Sequence, residues 1–270
     1  MTVEGVLYTR DMKIMYFFPT HLARGEDGEE MKFVEFTISE GVEEIYASFK
    51  STGLKRVILP NTLKKLGNDA LSCNTLTEIS LPESLEYLGT ECLSGTTIQS
   101  ELYIPESVSF IGSYCFRYSD FTSINIPKNI TCIKNGMFEY TRHLESVELH
   151  EGLTKICSGA FDHSALKTLD LPSTLTELES NAFFNSNIES IDLPDGITSL
   201  GYFVFHDSAL VRINLGQGVE RIGRAFYGCE NLRDIYSPKI TPPEIDDDDP
   251  LGLGELIKRY PDRITVHVPE

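Results

Sequence analysis

A pattern of about 22 residues that repeats along most of the chain constrains the fold more than any other feature of the sequence. Residues 166–187 read LKTLDLPSTLTELESNAFFNSN, and similar stretches lie on both sides of them. A period of roughly 20–29 residues with apolar residues at fixed offsets predicts a solenoid, in which each coil contacts only its neighbours. The repeats begin at Phe33, Leu54, Leu76, Ile98, Phe121, Leu144, Leu166, Ile188 and Leu210, with a degenerate repeat at Leu232.

Each repeat opens with a short alternating segment of the form L-x-x-I-x-L-P, as in residues 76–82. The alternation predicts a strand with two side chains inward and one outward, and the proline, which has no N–H and a fixed φ, ends it. One extra residue between Ile98 and Pro105 predicts a local bulge. A second apolar pair follows, and then often a glycine, which permits positive φ and close backbone approach at a corner. These glycines are Gly67, Gly89, Gly112, Gly201 and Gly223.

A small residue followed by an aromatic residue or leucine closes the repeats, as in Ala182-Phe183. In stacked coils these large side chains form an internal spine, and burying each contributes roughly 1.5–3 kcal/mol. Cys92 and Cys115 take the place of the small residue, which predicts buried, reduced thiols. A Cys92–Cys115 disulfide between adjacent coils is the alternative.

Both ends of the chain depart from the repeat. Residues 1–32 predict an N-terminal β-hairpin cap, with Arg10-Asp11 at the turn and a polar loop at residues 25–30. Residues 33–231 then hold about nine repeats, and residues 232–270 predict a degenerate repeat and a C-terminal cap. Within that cap, residues 251–260 predict a short helix and residues 264–268 a strand.

The formal net charge of −18 disfavours nucleic acid as a partner, because phosphate binding needs clustered Lys and Arg. It suits a basic or cationic partner. The sequence has no apolar run long enough for a membrane span and opens with no recognisable signal peptide. We therefore expect either a chain that stays inside the cell or a trimmed mature form.

Motifs for catalysis or metal binding are missing from the sequence. It contains no G-x-S-x-G, H-E-x-x-H, Walker A or C-x-x-C motif, so we expect no enzyme, no cofactor and no metal site. His163 and Asp207 lie in the tails of repeats two apart, near Asp162 and His206, and polar turn residues explain them better than a catalytic pair. The acidic run at residues 246–249 lacks the spacing of an EF-hand loop and is better explained as a solvated charge run.

The outward position of the opening strand is the most informative surface. In chain order this column reads Thr37, Ile58, Ser80, Tyr103, Asn125, Glu148, Asp170, Asp192, Asn214 and Tyr236. Paired strands lie about 4.8 Å apart, so Glu148, Asp170 and Asp192 are expected to form a row of like charges. One interpretation is solvated acidic surface. The other is a binding strip for a cation or basic partner, formed by residues Tyr103 to Tyr236 of the column, with the two tyrosines as flanking anchors.

The combination of L-x-x-I-x-L-P, a following glycine and an Ala-Phe pair, which recurs over residues 33–232, resembles the BspA-like, Treponema-type family of leucine-rich repeats. The hairpin at residues 5–19 and the closing segments at residues 242–243 and 266–269 also resemble that family. The resemblance implies a β-rich, right-handed coil with a parallel strand ladder and short helical turns. It further implies protein–protein interaction, often at a microbial cell surface and towards host matrix proteins, without catalytic residues.

The leading hypothesis is therefore a non-catalytic protein-binding module, with the cell surface implied by the resemblance and the cytoplasm as the alternative location. A structural or spacer domain of a larger assembly, or an intracellular leucine-rich-repeat scaffold, is the second hypothesis. An enzyme is a distant third.

Overall fold

A computed structural model describes residues 1–3, 5–18, 35–50, 52–239, 243–245, 253–259 and 261–269. The described chain forms a parallel β-solenoid of about nine turns with almost no helix, as the repeat period predicted. It divides into two compact parts, residues 1–130 and residues 131–270.

The strands are short, because each coil turns a corner after two to four residues. In chain order they are β1 (Thr2–Val3), β2 (Val6–Tyr8), β3 (Ile14–Phe17), β4 (Glu35–Thr37), β5 (Glu44–Ile45), β6 (Arg56–Ile58), β7 (Lys65–Leu66), β8 (Tyr87–Leu88), β9 (Glu101–Leu102), β10 (Phe110–Ile111), β11 (Ser123–Asn125), β12 (Cys132–Ile133), β13 (Ser146–Glu148), β14 (Lys155–Ile156), β15 (Glu177–Leu178), β16 (Ser190–Asp192), β17 (Arg212–Asn214), β18 (Arg221–Ile222), β19 (Asp234–Tyr236), β20 (Glu244–Ile245) and β21 (Thr265–His267). The helical elements are one turn of 3-10 helix at Arg224–Phe226 and helix α1 at Leu253–Arg259.

Two strand ladders form two sides of each coil. The first ladder contains the opening strands of the repeats, such as β4 and β6 in residues 1–130 and β16, β17, β19 and β21 in residues 131–270, all paired in parallel. The second ladder contains the strands of the second apolar pair: β5, β7, β8 and β10 in the first part, and β12, β14 and β15, then β18 and β20, in the second. The sequence predicted only the first of these ladders as strands.

Neither ladder is continuous. In the first ladder, the described residues show no strand pairing between the coil of Glu78 and that of Glu101, or between the coil of Glu148 and that of Asp170. Isolated parallel β-bridges pair Arg56 with Glu78, and Thr168 with Ser190. In the second ladder, strand pairing stops between β15 and the next coil, which contains Ser199. Ser199 in turn forms an isolated parallel β-bridge with Arg221 of the following coil. The outward column of the first ladder is therefore interrupted within its acidic segment.

The third side of each coil, which we call the turn wall, is held by backbone hydrogen bonds between coils. Along residues 181–185 the N–H groups of alternate residues donate to the next coil: Asn181 to the Tyr202 carbonyl (3.0 Å), Phe183 to Val204 (2.8 Å) and Asn185 to His206 (2.7 Å). Residues with the left-handed backbone conformation (positive φ) recur at two positions four residues apart, here Asn181 (φ 59°) and Asn185 (φ 51°). The left-handed conformation costs a non-glycine residue about 1–2 kcal/mol, and the hydrogen bonds between coils offset this cost.

The corner glycines serve close approach and not positive φ. Left-handed φ is found instead on non-glycine residues two positions later, such as Asp69, Glu91 and Tyr114. A Cβ added at Gly89 would lie 2.5 Å from the Gly67 carbonyl carbon, because the preceding coil passes directly beside it. Gly223 has nothing within 4 Å of an added Cβ, so close approach does not explain that position.

The core is a stack of side chains along the solenoid axis. In residues 131–270 the fully buried spine phenylalanines stack with nearly parallel rings: Phe138 on Phe161 (5.2 Å), Phe161 on Phe183 (5.2 Å), Phe183 on Phe205 (5.5 Å) and Phe205 on Phe226 (5.6 Å). This stack is the spine that the sequence predicted. A buried column of small polar residues accompanies it, and there Thr141 and Ser186 donate to carbonyls of their own coils (2.7 and 2.8 Å). Cys73 and Cys229 occupy the same column position, at buried sites.

At both ends of the described chain, elements of the predicted kind are present. Strands β2 and β3 form an antiparallel hairpin, and β3 then pairs in parallel with β5, so the hairpin adds to the second ladder. The polar loop of residues 25–30 and the acidic run of residues 246–249 lie outside the described residues. At the other end, α1 and β21 match the predicted helix and strand, and β21 adds to the first ladder beside β19.

Candidate functional site

The acidic segment of the outward column lies in residues 131–270. Glu148, Asp170 and Asp192 are exposed, and Asn214 and Tyr236 are half-buried. The bridge from Thr168 to Ser190 puts Asp170 and Asp192 in the same register, and strand pairing continues that register to Asn214 and Tyr236. The structure therefore aligns four of these five residues, with Glu148 across the interruption of the first ladder.

The three carboxylates differ in their partners. Asp192 Oδ1 lies 3.3 Å from an Arg212 guanidinium nitrogen, and both side chains are about half exposed. Glu148 and Asp170 form no ion pair with any residue that the structure describes. An exposed ion pair contributes little, about 0–1 kcal/mol, so the acidic character of the column is only partly neutralised.

Tyr236 is held by an aromatic and ionic cluster at the end of the column. Its ring stacks on that of His267 at 4.2 Å and 7°, and His267 Nε2 lies 2.8 Å from Asp234 Oδ1. The Arg212 guanidinium lies 5.9 Å from the ring centre on the side of the preceding coil. One face of the ring is thus covered, which limits Tyr236 as an anchor for a partner.

The two residues of the predicted binding strip that lie in residues 1–130, Tyr103 and Asn125, have different surroundings. Tyr103 is 51% exposed, beside the extra residue of its repeat. The Asn125 amide donates to the Ile104 carbonyl and accepts from the Ile104 N–H, each at 2.7 Å. Asn125 therefore joins two coils through both polar ends of its amide.

Sequence reasoning missed a second outward column on the first ladder, two residues earlier in each strand. In residues 1–130 it begins with Glu35, Arg56 and Glu78, and Arg56 lies 3.1 Å and 3.5 Å from the two carboxylates. In residues 131–270 it contains Arg212 and Asp234. The period itself could have identified these neighbours, because adding one repeat length to a position gives its partner in the next coil.

The interruption of the second ladder opens a groove in residues 131–270, with a volume of about 490 Å³. Leu178 and the half-buried Leu200 lie along it, together with five hydroxyl side chains. Glu177 and Glu179 line it as well, and both bind the Lys155 ammonium, at 2.9 and 2.5 Å. The hydrogen bond to Glu179 and then that to Glu177 raise the pKa of Lys155, so this lysine stays charged.

The second ladder carries aromatic side chains in residues 1–130. The Tyr87 and Phe110 rings stack at 4.5 Å and 4°. The Lys65 ammonium lies 4.6 Å from the Tyr87 ring centre and 5.1 Å from that of Tyr46. This cation–π arrangement satisfies the lysine within the ladder.

The histidines of the turn wall bond to their sequence neighbours. His163 Nδ1 bonds to Asp162, and its Nε2 lies 3.1 Å from the Asn185 amide nitrogen. His206 Nε2 lies 2.9 Å from Asp207 Oδ2, and burial lowers the pKa of this imidazole. The hydrogen bonds and ion pairs described for His163 and Asp207 join them to other residues and not to each other. In the described chain the partners of both rings are carboxylates and an amide, so neither imidazole is placed to activate a nucleophile.

Among the described residues, no helix is both long and apolar enough to cross a membrane. The same residues bring together no group of three His, Cys, Asp or Glu side chains suited to a metal ion.

The parallel coils, the two short ladders and the stacked Leu and Phe core define a leucine-rich repeat protein. The family model of the BspA type leucine-rich repeat region matches residues 29–122 and 109–233, with six copies. The chain therefore belongs to the BspA-type leucine-rich repeat family, as the repeat motif indicated. The proteins of this fold are generally non-catalytic repeat proteins. The search of curated proteins found no match.

Several solved structures are similar to this chain. A leucine-rich repeat protein from Bacteroides ovatus is similar with a TM-score of 0.70 and 22% identity, over 88% of this chain and 70% of that chain. A leucine-rich repeat protein of T. pallidum matches with a TM-score of 0.45 and 20% identity, over 57% of this chain and 85% of that chain. A leucine-rich cell surface protein from Faecalibacterium prausnitzii matches with a TM-score of 0.45 and 22% identity, over 75% of this chain and 59% of that chain. At 22% identity, the similarity to the Bacteroides ovatus protein shows the fold alone.

Proposed function

We propose that this chain is a non-catalytic interaction module that binds a basic partner protein through the first-ladder face of residues 131–270. The observation that carries the proposal is the pair of exposed carboxylates, Glu148 and Asp170, that have no cationic partner in the described chain and precede Asp192 in the same outward column. A Lys- or Arg-rich surface would supply the missing charges. The net charge of −18 favours the same class of partner.

The energetics favour a partner over a purely structural role for these acids. Asp170 and Asp192 are register partners on neighbouring coils, and two like charges about 4–5 Å apart in water repel by about 1 kcal/mol. Arg212 offsets part of that repulsion at Asp192 only. A basic side chain placed between the two carboxylates would relieve the rest, so this site gains more on binding than an evenly paired surface does.

A surface location and a host matrix protein as partner, which the family resemblance implies, belong to this proposal. The first purified proteins to test are therefore basic matrix proteins, with acidic proteins of similar size as negative controls. Binding of the immobilised chain would be measured by surface plasmon resonance at low and at physiological salt. A partner held by this column binds more weakly as salt rises, because salt screens exposed charges.

Asp170→Asn tests the site directly, because it removes the central charge with little change of shape. We expect weaker binding, a flatter salt dependence and unchanged or slightly higher stability of the free protein, since only repulsion is lost. Glu177→Gln is the matched control, because it removes one charge from the same coil on the second ladder. If Glu177→Gln weakened binding and Asp170→Asn did not, the partner would bind the second-ladder face. If no basic protein bound, a spacer role would replace this proposal.

A further inference from the structure

Two cysteine side chains meet between adjacent coils on the second-ladder side of residues 131–270. Cys132, the first residue of β12, and Cys157, which directly follows β14, have their sulfur atoms 3.0 Å apart. A disulfide bond is about 2.05 Å long, so a relative movement of about 1 Å would join them. These thiols belong to neither the outward column of the first ladder nor the buried core columns.

The two thiols differ in exposure. Cys132 is half-buried and can be reached from solvent, whereas Cys157 is 7% exposed. Burial, and then the contact with Cys132, raises the pKa of the Cys157 thiol to about 12. Cys132 is therefore the thiol that meets a reagent first, and Cys157 is the second thiol, already in contact with it.

We propose that Cys132 and Cys157 form a disulfide site linking two coils, which a small-molecule disulfide such as oxidised glutathione closes. The Cys132 thiolate attacks one sulfur of oxidised glutathione, the glutathione disulfide breaks, and one glutathione thiolate leaves. Cys157 then loses its proton and attacks the Cys132 sulfur, and the second glutathione thiolate leaves. Two protein thiols are oxidised to one disulfide, and oxidised glutathione is reduced to two glutathione thiols, which take up the two protons.

A second cysteine pair provides an internal control. Cys92 and Cys115 also lie on adjacent coils, at the small-residue position, but both side chains are 0% exposed. Burial raises the pKa of the Cys115 thiol well above its usual value. A small disulfide that reacts at Cys132 has no access to this pair, so the alternative Cys92–Cys115 bridge is not expected to form in the folded protein.

The test treats the folded, reduced chain with oxidised glutathione and counts thiols by mass spectrometry under denaturing conditions. We expect four of the six cysteines to remain reduced and the protein to lose two hydrogens without gaining glutathione. Trypsin cuts after Lys128, Lys134, Lys155 and Lys167, so the bridge joins residues 129–134 to residues 156–167 in one linked peptide. The oxidised protein should melt at a higher temperature than the reduced protein. The bridge joins residues 25 positions apart and so restricts the conformational freedom of the unfolded chain.

Single variants separate the proposal from its competitors. Cys132→Ser should abolish the linked peptide, and Cys92→Ala should leave it unchanged. A stable mixed disulfide of Cys132 with glutathione would overturn the proposal, because it would show that Cys157 does not attack. A linked peptide containing Cys92 and Cys115, or six reduced thiols after treatment, would overturn it as well.

Discussion

Truncation of the central spine phenylalanine, Phe183→Ala, is the most demanding test of the assigned core. Phe183 is fully buried, and its ring stacks between Phe161 at 5.2 Å and Phe205 at 5.5 Å, with planes within 5° and 9° of parallel. The substitution removes the whole ring and leaves a hole between two rings that stay in place. Neighbouring coils cannot close over it, because the backbone N–H groups of Phe161 and Phe183 each donate to the next coil at 2.8 Å.

The expected cost follows from that rigidity. Phe-to-Ala substitutions in cores cost about 3–5 kcal/mol, and sites that cannot collapse lie towards the upper end of that range. Single domains are typically stable by about 5–15 kcal/mol, so the loss should be a large part of the total. Equilibrium urea unfolding followed by far-UV circular dichroism would measure it as a shift of the transition midpoint.

Ser80→Ala provides the comparison, because Ser80 is an exposed residue of the outward column. Exposed substitutions of this kind usually change stability by less than about 0.5 kcal/mol. Similar costs for the two variants, or a Phe183→Ala cost below about 1 kcal/mol, would refute the assignment of inside and outside. A transition that broadened in Phe183→Ala alone would show that the coils on either side of the hole no longer unfold together.

Two further predictions follow from residues described above. Gly89→Ala should destabilise by about 1–3 kcal/mol in the same urea assay, because its Cβ would lie 2.5–2.6 Å from the backbone of Gly67 and Asn68; a cost within error of zero would show that the coils can separate there. For His206, burial lowers the pKa of the imidazole in the folded state, against the opposing effect of the Asp207 carboxylate, and Nδ1 is buried without a hydrogen-bond partner in the described chain. Its stabilising contribution is therefore present above the unfolded pKa of about 6.5 and is lost as pH falls through the lowered folded pKa. Thermal melts should show a steeper loss of stability below about pH 6.5 in the wild type than in His206→Gln, and parallel pH profiles would contradict the assignment.

The coil, its spine and both end elements could be predicted because each depends on a pattern that a single repeat displays. The Ile-x-Leu alternation, the proline and the Ala-Phe pair all lie within one repeat of about 22 residues, and stacking follows from their recurrence. The second ladder was not predicted, because strands of two residues, such as Lys65–Leu66, are shorter than one cycle of a recognisable alternation.

Contacts between coils were the part that the sequence pattern did not show. Gly89 was expected to permit both positive φ and close approach, and the distance to Gly67 in the preceding coil shows that close approach is the property used. Asn125 was predicted as a binding residue, yet its amide holds Ile104, 21 residues earlier. Asp192 was predicted in a row of like charges, and its partner Arg212 lies 20 residues later, on the other outward column. Such neighbours are one repeat away in sequence, so they become visible only when each position is compared with its counterpart in the next coil.

Within residues 131–270, the interruptions of the two ladders fall between different pairs of coils. Where the first ladder stops between Glu148 and Asp170, the second still joins those coils through β14 and β15. Where the second stops after β15, the first joins the same coil to the next through Thr168 and Ser190, and Phe183 still donates to Val204 on the turn wall. Among the described residues of 131–270, no gap in one ladder lies between the same two coils as a gap in the other, so the opening of one gap exposes amides on one side only. Hydrogen–deuterium exchange should therefore be fastest in narrow, one-sided patches, while the spine amides exchange only when several coils open together.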